Sequence, residues 1–209
     1  MVRQEAGLVC GEAQAARRLT LTGDGADLGP EDIRALIRTV PDFPRPGIRF
    51  RDITTLLAHP AGLAATIGHL ARLAEDYASG GRVAAVAGIE ARGFIFGAAL
   101  AEKLGTGFIP LRKAGKLPVE TFGIDYALEY GSARLEIDPT LIERGERVLL
   151  VDDLLATGGT ALAGAELIRR AGGVCDHALF VIDLPELGGS AALGSAGVKT
   201  ASLVAFAGH

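Results

Sequence analysis

The stretch Arg147-Val148-Leu149-Leu150-Val151-Asp152-Asp153-Leu154-Leu155-Ala156-Thr157-Gly158-Gly159-Thr160 constrains the fold of this chain more than any other. The unbroken apolar run from Val148 to Val151 suits a central parallel strand, because a strand buried on both faces does not alternate. Two carboxylates, Asp152 and Asp153, follow where that strand is expected to end, and they are expected to face solvent. A short turn carries Thr157, Gly158, Gly159 and Thr160. The pattern then becomes helical, with Ala161, Ala165 and Ile168 on one stripe and Gly172-Gly173 as the stop. Strand, acidic pair, Gly/Thr loop and helix together make an anion cradle. Glycine lets backbone approach a phosphate, the first turn of a helix offers unpaired N–H groups, and threonine adds hydroxyl donors. The loop has neither the Gly-Lys-Ser/Thr ending of a Walker A loop nor the spacing of G-x-G-x-x-G. An Asp-Asp pair alone would read better as the solvated end of an ordinary strand.

A second strand–loop–helix unit precedes it. Val83 to Ala87 reads as another buried strand, running into Gly88-Ile89-Glu90-Ala91-Arg92-Gly93 and a helix to Leu104. Taken alone, this loop could be a plain βα turn. Phe108 to Leu111 gives a third strand, followed by Arg112, Lys113 and Lys116, three cations within five residues. The net charge is −4, so an anionic ligand would need such a local patch. In isolation the run could be a solvated loop. After a strand of an α/β sheet it lies at the carboxyl-end crevice where ligands bind.

Residues 119–131 read as irregular, ending in Leu128-Glu129-Tyr130-Gly131, while Ser132 to Ile137 alternates like a half-exposed strand. The two segments are expected to form a hairpin or lid that excludes water from the site. Elsewhere, Pro30 opens a helix with Ile33, Leu36, Ile37 and Val40 as its stripe, and Pro41 to Gly47 forbids regular structure. A long helix after Pro60 turns Leu63, Ile67, Leu70, Ala74 and Tyr77 inward. Ala178–Ile182 and Ser202–Phe206 read as strands, with a weak helix or loop after Pro185. Residues 1–28 have no sustained apolar period and read as a mobile extension, leaving 29–209 as a single domain.

The stretch from Val148 to Thr160 resembles the phosphoribosyl-pyrophosphate (PRPP) signature of type I phosphoribosyltransferases. Pro44-Arg45-Pro46-Gly47-Ile48-Arg49-Phe50-Arg51-Asp52-Ile53 resembles the base-binding segment of the adenine-specific members, which other type I members do not share. The resemblance covers about Pro41 to Ile182. It implies a central, mostly parallel sheet flanked by helices, a small hood and a flexible β-hairpin lid. It further implies transfer of phosphoribosyl from PRPP to adenine, giving AMP and pyrophosphate in purine salvage.

On the matching positions, Asp152 and Asp153 would hold the ribose hydroxyls, and Leu155, Ala156, Thr157, Gly158, Gly159 and Thr160 the 5′-phosphate. The loop at Glu90, Ala91 and Arg92 would receive pyrophosphate, and its usual non-proline cis peptide would fall at Glu90–Ala91. Arg112, Lys113 and Lys116 would join Arg92 as cations on the leaving group. Arg49, Phe50, Arg51 and Tyr130 would shape the base pocket, and Glu129 would take the proton from adenine N9. The family also implies Mg²⁺, bound mainly by substrate oxygens and water rather than a protein cage, and a homodimer that shares part of the cationic set. Two other readings stand beside this one. They are transfer to another purine, and a PRPP- or purine-sensing regulator on the same fold.

Composition excludes other classes. A pI of about 5.6 argues against a general nucleic-acid binder, and aromatics at 5% with no Trp argue against a stacking platform for single strands. No stretch suits a membrane span, and the N-terminus has no apolar signal core. Cys10 and Cys175 imply no disulfide framework, which suits the cytoplasm. The four histidines have no metal-ligand spacing.

Overall fold

The aliphatic runs come together as one twisted sheet. The computed structural model describes residues 28–78, 81–127 and 132–208. In chain order the elements are α1 (Pro30–Ala35), β1 (Arg38–Pro41), β2 (Arg49–Asp52), α2 (Thr54–Leu57), α3 (Pro60–Ala78), β3 (Ala85–Ile89), α4 (Arg92–Leu104), β4 (Gly107–Lys113), β5 (Phe122–Ala127), β6 (Ser132–Ile137), β7 (Val148–Leu155), α5 (Gly159–Arg170), β8 (His177–Asp183), α6 (Gly189–Ser195) and β9 (Lys199–Ala205). The main sheet has seven strands in the order β5-β6-β4-β3-β7-β8-β9. From β4 to β9 the pairing is parallel, and the β5–β6 hairpin joins β4 antiparallel through Arg112↔Glu136 and Lys113↔Leu135.

The sheet is covered on both sides, and β7 explains why its sequence does not alternate. Leu149 and Val151 pack into one core with Leu70, Ala74 and Tyr77 of α3 and Phe96 and Leu100 of α4. Val148 and Leu150 pack into the other with Ala161, Ala165 and Ile168 of α5. All four β7 residues are fully buried.

A separate antiparallel pair, β1–β2, lies with α1 and α2 ahead of the main sheet and forms the hood. The helix expected to reach Val40 stops at Ala35, and Arg38–Pro41 is strand instead. Two forces oppose the helix there. The residue before a proline is pushed out of the helical region, which makes Val40 extended. Arg38 also forms an ion pair with Asp52 across the β1–β2 register.

Three other readings change. β7 runs on through the acids to Leu155, because β8 continues to pair with it at Leu154↔Ile182 and Leu155↔Asp183. The supposedly irregular stretch contains β5, paired with β6 along its length, as the expected hairpin requires. Leu28, assigned to the extension, packs against the core, and its carbonyl accepts a hydrogen bond from His69 Nε2 at 2.8 Å. The rest of that extension, residues 1–27, lies outside the described residues, as do Glu129 and Tyr130. Among the described residues no helix is long and apolar enough to cross a membrane.

Candidate functional site

Because β3, β4 and β7 run parallel, their carboxyl ends deliver three loops to one edge of the sheet. A cleft of about 540 Å³ opens there. Glu90 to Arg92 wall one side and Leu155 to Thr160 the other, with Asp152, Asp153 and Lys113 between them. Tyr126 and Ala133, cross-strand partners in the hairpin, close a third side. The sequence reading missed both, although Ile124 and Tyr126 carry a period-two signal that marks the inward face of β5.

The two cradles are pressed against each other. Gly93 opens α4 so close to β7 that a Cβ there would meet Asp152 Oδ1 at 2.8 Å and the Val151 carbonyl at 2.9 Å. Gly158 takes a left-handed φ of 87° just before α5, and a Cβ would stand 3.1 Å from Gly189 backbone. Glycine is needed at both positions for steric reasons. The open N–H groups of the first α5 turn face an otherwise uncapped end, since Gly158 has no side chain to cap it.

The acidic pair departs from expectation. Asp153 is 3% exposed rather than solvent-facing. Its Oδ2 accepts a hydrogen bond from Arg92 Nε at 2.5 Å, an ion pair that ties the Glu90–Arg92 loop to β7. Asp152 is half-buried, and its Oδ1 accepts from the Asp153 amide at 2.9 Å. Burial, and then repulsion from Asp153, push the Asp152 carboxyl well above the usual carboxylate range.

Glu90 is a post between loops. Its Oε2 accepts from the Lys113 amide at 2.9 Å and from Arg112 Nε at 3.4 Å. Burial works against its charge, but the Lys113 amide and the Arg112 guanidinium outweigh it and hold the carboxyl below its ordinary value. Arg112 is further occupied by the Lys116 carbonyl at 3.0 Å, whereas Lys113 and Lys116 are exposed, and only Lys113 reaches the cleft. The Glu90–Ala91 peptide is cis, at the position expected.

The Arg49-Phe50-Arg51 segment is divided. The Phe50 ring lies 5.9 Å from the Arg92 guanidinium carbon and edge-on to Phe43. Arg51 is buried and engaged with Thr39 and the C-terminal carbonyls, so its side chain is not a free ligand group. Arg49 is exposed. Among the described residues no three His, Cys, Asp or Glu side chains gather into a metal cage. Asp152 and Asp153 still offer hard oxygen donors at the cleft, which fits Mg²⁺ bound largely through a polyphosphate ligand.

Comparison with known proteins agrees with this geometry. The phosphoribosyl transferase domain matches residues 52–186. The adenine phosphoribosyltransferase of Novosphingobium aromaticivorans is 65% identical over 179 residues, which span 86% of this chain and 98% of that protein. The crystal structure of adenine phosphoribosyltransferase from Thermoanaerobacter pseudethanolicus superposes with a TM-score of 0.78 at 45% identity, covering 85% of this chain and 99% of that one. The Saccharomyces cerevisiae enzyme, solved with an imino-altritol bisphosphate and adenine, gives a TM-score of 0.80 at 35% identity over 84% of this chain and 98% of its own.

Proposed function

The chain belongs to the phosphoribosyl transferase family, and within it to the adenine phosphoribosyltransferases; from that membership we propose that it transfers the phosphoribosyl group of PRPP to adenine, giving AMP and pyrophosphate. The observation that carries the reading is the junction of two anion cradles in one cleft, locked by Arg92 and Asp153 beside a second carboxylate. PRPP has a phosphate at each end of a ribose, and a site for it needs two cradles spaced by groups that accept ribose hydroxyls.

In this reading the 5′-phosphate sits on the Ala156–Thr160 loop and the α5 N-terminus. The pyrophosphate lies on the Glu90–Arg92 loop, with Lys113 and the exposed Lys116 drawn toward it. Asp152 and Asp153 accept the ribose hydroxyls. As the C1–oxygen bond breaks, positive charge grows on the ribose ring and is favoured by the two acids, while cations stabilise the leaving group. The base N9 attacks C1, and Glu129 takes its proton. Phe50 and Tyr130 flank the base. Mg²⁺, held by substrate oxygens and water with the acid pair nearby, would neutralise pyrophosphate charge. Binding requires Arg92 to share its charge between Asp153 and the incoming phosphates.

The enzyme so described is a cytoplasmic homodimer that uses neither nucleic acid nor membrane. The exposure of Lys113 and Lys116 supports a cationic set that a neighbouring subunit completes. The test is incubation with PRPP, Mg²⁺ and adenine, with the product identified by mass and the assembly sized by light scattering. Absence of AMP would reject the reading.

A further inference from the structure

We propose that Arg51 is a positioning residue for the base subsite, acting by clamping the C-terminal segment Phe206–Gly208 to the hood strand β2. The inference rests on the base reading above. Successive side chains of a strand point to opposite faces. The Phe50 ring faces Arg92, a residue of the cleft wall, so Arg51 points to the opposite face of the strand, into the hood. There it is 8% exposed. Its Nη1 donates to Thr39 Oγ1 at 2.6 Å, and its Nη2 donates to the carbonyls of Ala207 at 3.1 Å and Gly208 at 3.0 Å. The guanidinium also lies 4.5 Å from the centre of the Phe206 ring.

The segment is held from its other side as well. The Phe206 amide donates to the Asp183 carbonyl at 3.0 Å, and the Gly208 amide donates to Glu186 Oε2 at 3.1 Å. One guanidinium thus joins β1, the end of the chain and, through it, the turn after β8. A two-stranded sheet is marginal by itself. The place of the β2 backbone, and of any base edge read against it, therefore depends on what β2 is tied to. The Nη1 and Nη2 donors of Arg51 are committed to this tie, which gives the residue an effect on the base without contact with it.

The test compares Arg51→Met, Arg51→Lys and a chain lacking residues 207–209 with the wild type in steady-state kinetics. Arg51→Met is expected to raise KM for adenine by about ten- to a hundredfold, the loss of one or two charge-assisted hydrogen bonds. KM for PRPP should stay within about twofold, since its cradles are on the main sheet. Arg51→Lys should fall between, because an ammonium cannot span the same acceptors. The truncation should reproduce the adenine effect, and combining it with Arg51→Met should add little, because both remove the same bonds. An unchanged adenine KM, an equal rise for both substrates, or fully additive effects would overturn the proposal. Should Arg51→Met not fold, the truncation and Glu186→Gln answer the same question by the same criterion. If the wild type proves to use another base, KM is read for that base, so the adenine reading can fail while this one stands. A wild type without any transfer activity removes both.

Discussion

Asp152 combines a place in the cleft with a carboxyl whose charge the fold resists. Burial and the neighbouring Asp153 raise its pKa well above an unfolded value of about 3.9. The folded state then keeps a proton that the unfolded chain has already lost. Its contribution to stability is complete below the ordinary carboxylate range and is lost as pH rises through the raised pKa. Asp152→Asn removes this penalty and keeps the oxygen that accepts from the Asp153 amide. The variant is expected to melt above wild type at pH 7–8 by about 2–4 °C per kcal/mol recovered, with the gap closing near pH 4. It should lose about a hundredfold in kcat/KM for PRPP, because one of the two carboxyl oxygens that would accept from ribose hydroxyls becomes an amide donor. Melting curves across pH together with PRPP kinetics check both halves. A destabilised variant at neutral pH would contradict the account of the burial. The pair was legible as chemistry because it directly follows an aliphatic run. Its burial was not, because the partner that covers Asp153 is Arg92, 61 residues away in sequence.

At the scale of elements, the units that could be read were those whose signal is local. The β7–loop–α5 unit declares itself by an aliphatic run, a Gly/Thr turn and a helical stripe, all within one stretch of chain. β5 and the end of α1 were misread because pairing with the next strand, β6 and β2 respectively, decides them, and periodicity within the segment itself does not show it. The Arg51 clamp spans 157 residues, beyond the reach of any periodicity. Close packing of α4 on β7 was equally hidden. Gly93→Ala would drive a methyl into Asp152 Oδ1 and the Val151 carbonyl. Backbone cannot yield as a side-chain tip does, so a cost of about 1–3 kcal/mol is expected, with a matching fall in melting temperature and a larger loss of PRPP turnover. A fully active, equally stable Gly93→Ala enzyme would show that the two cradles need not touch. The β5–β6 hairpin carries a different test. Glu129 lies in the segment that connects those strands, and Glu129→Gln should lower kcat by about 10²- to 10⁴-fold with little change in KM for PRPP, as expected for loss of a general base. Single-turnover kinetics isolate the chemical step, and a wild-type rate there would assign the proton to another acceptor.

For the whole molecule, every residue assigned a part in the proposed chemistry follows Leu28, which His69 fixes to the core. Removing residues 1–27 is expected to leave the melting temperature within about 2 °C and turnover within about twofold; a larger loss would show that this segment contributes to the fold or the assembly. Choice of base, by contrast, would draw on the full architecture under the proposed assignment, which places the base between the hood strand β2 and the main sheet. The Phe50 ring faces Arg92 while Arg51 is engaged on the other side of the strand, and in the proposed reading the β2 backbone is the polar surface that meets the edge of the base. Adenine presents an amine donor beside the N1 acceptor, whereas hypoxanthine and guanine reverse that order. Side chains can rotate to suit either pattern, but a backbone amide cannot become an acceptor. Each mismatch would bury an unpaired polar atom at about 1–3 kcal/mol, and two mismatches give a discrimination of about 10²- to 10⁴-fold. Adenine should therefore outcompete hypoxanthine and guanine by at least about two decades in kcat/KM, and orotate and uracil by no less. A competition assay with all bases present, in which pyrophosphate release is followed and nucleotides are weighed by mass, makes the comparison directly. IMP or GMP formed as fast as AMP would refute backbone readout by the hood, yet leave phosphoribosyl transfer intact, because the two phosphate cradles lie on the main sheet and do not depend on β2.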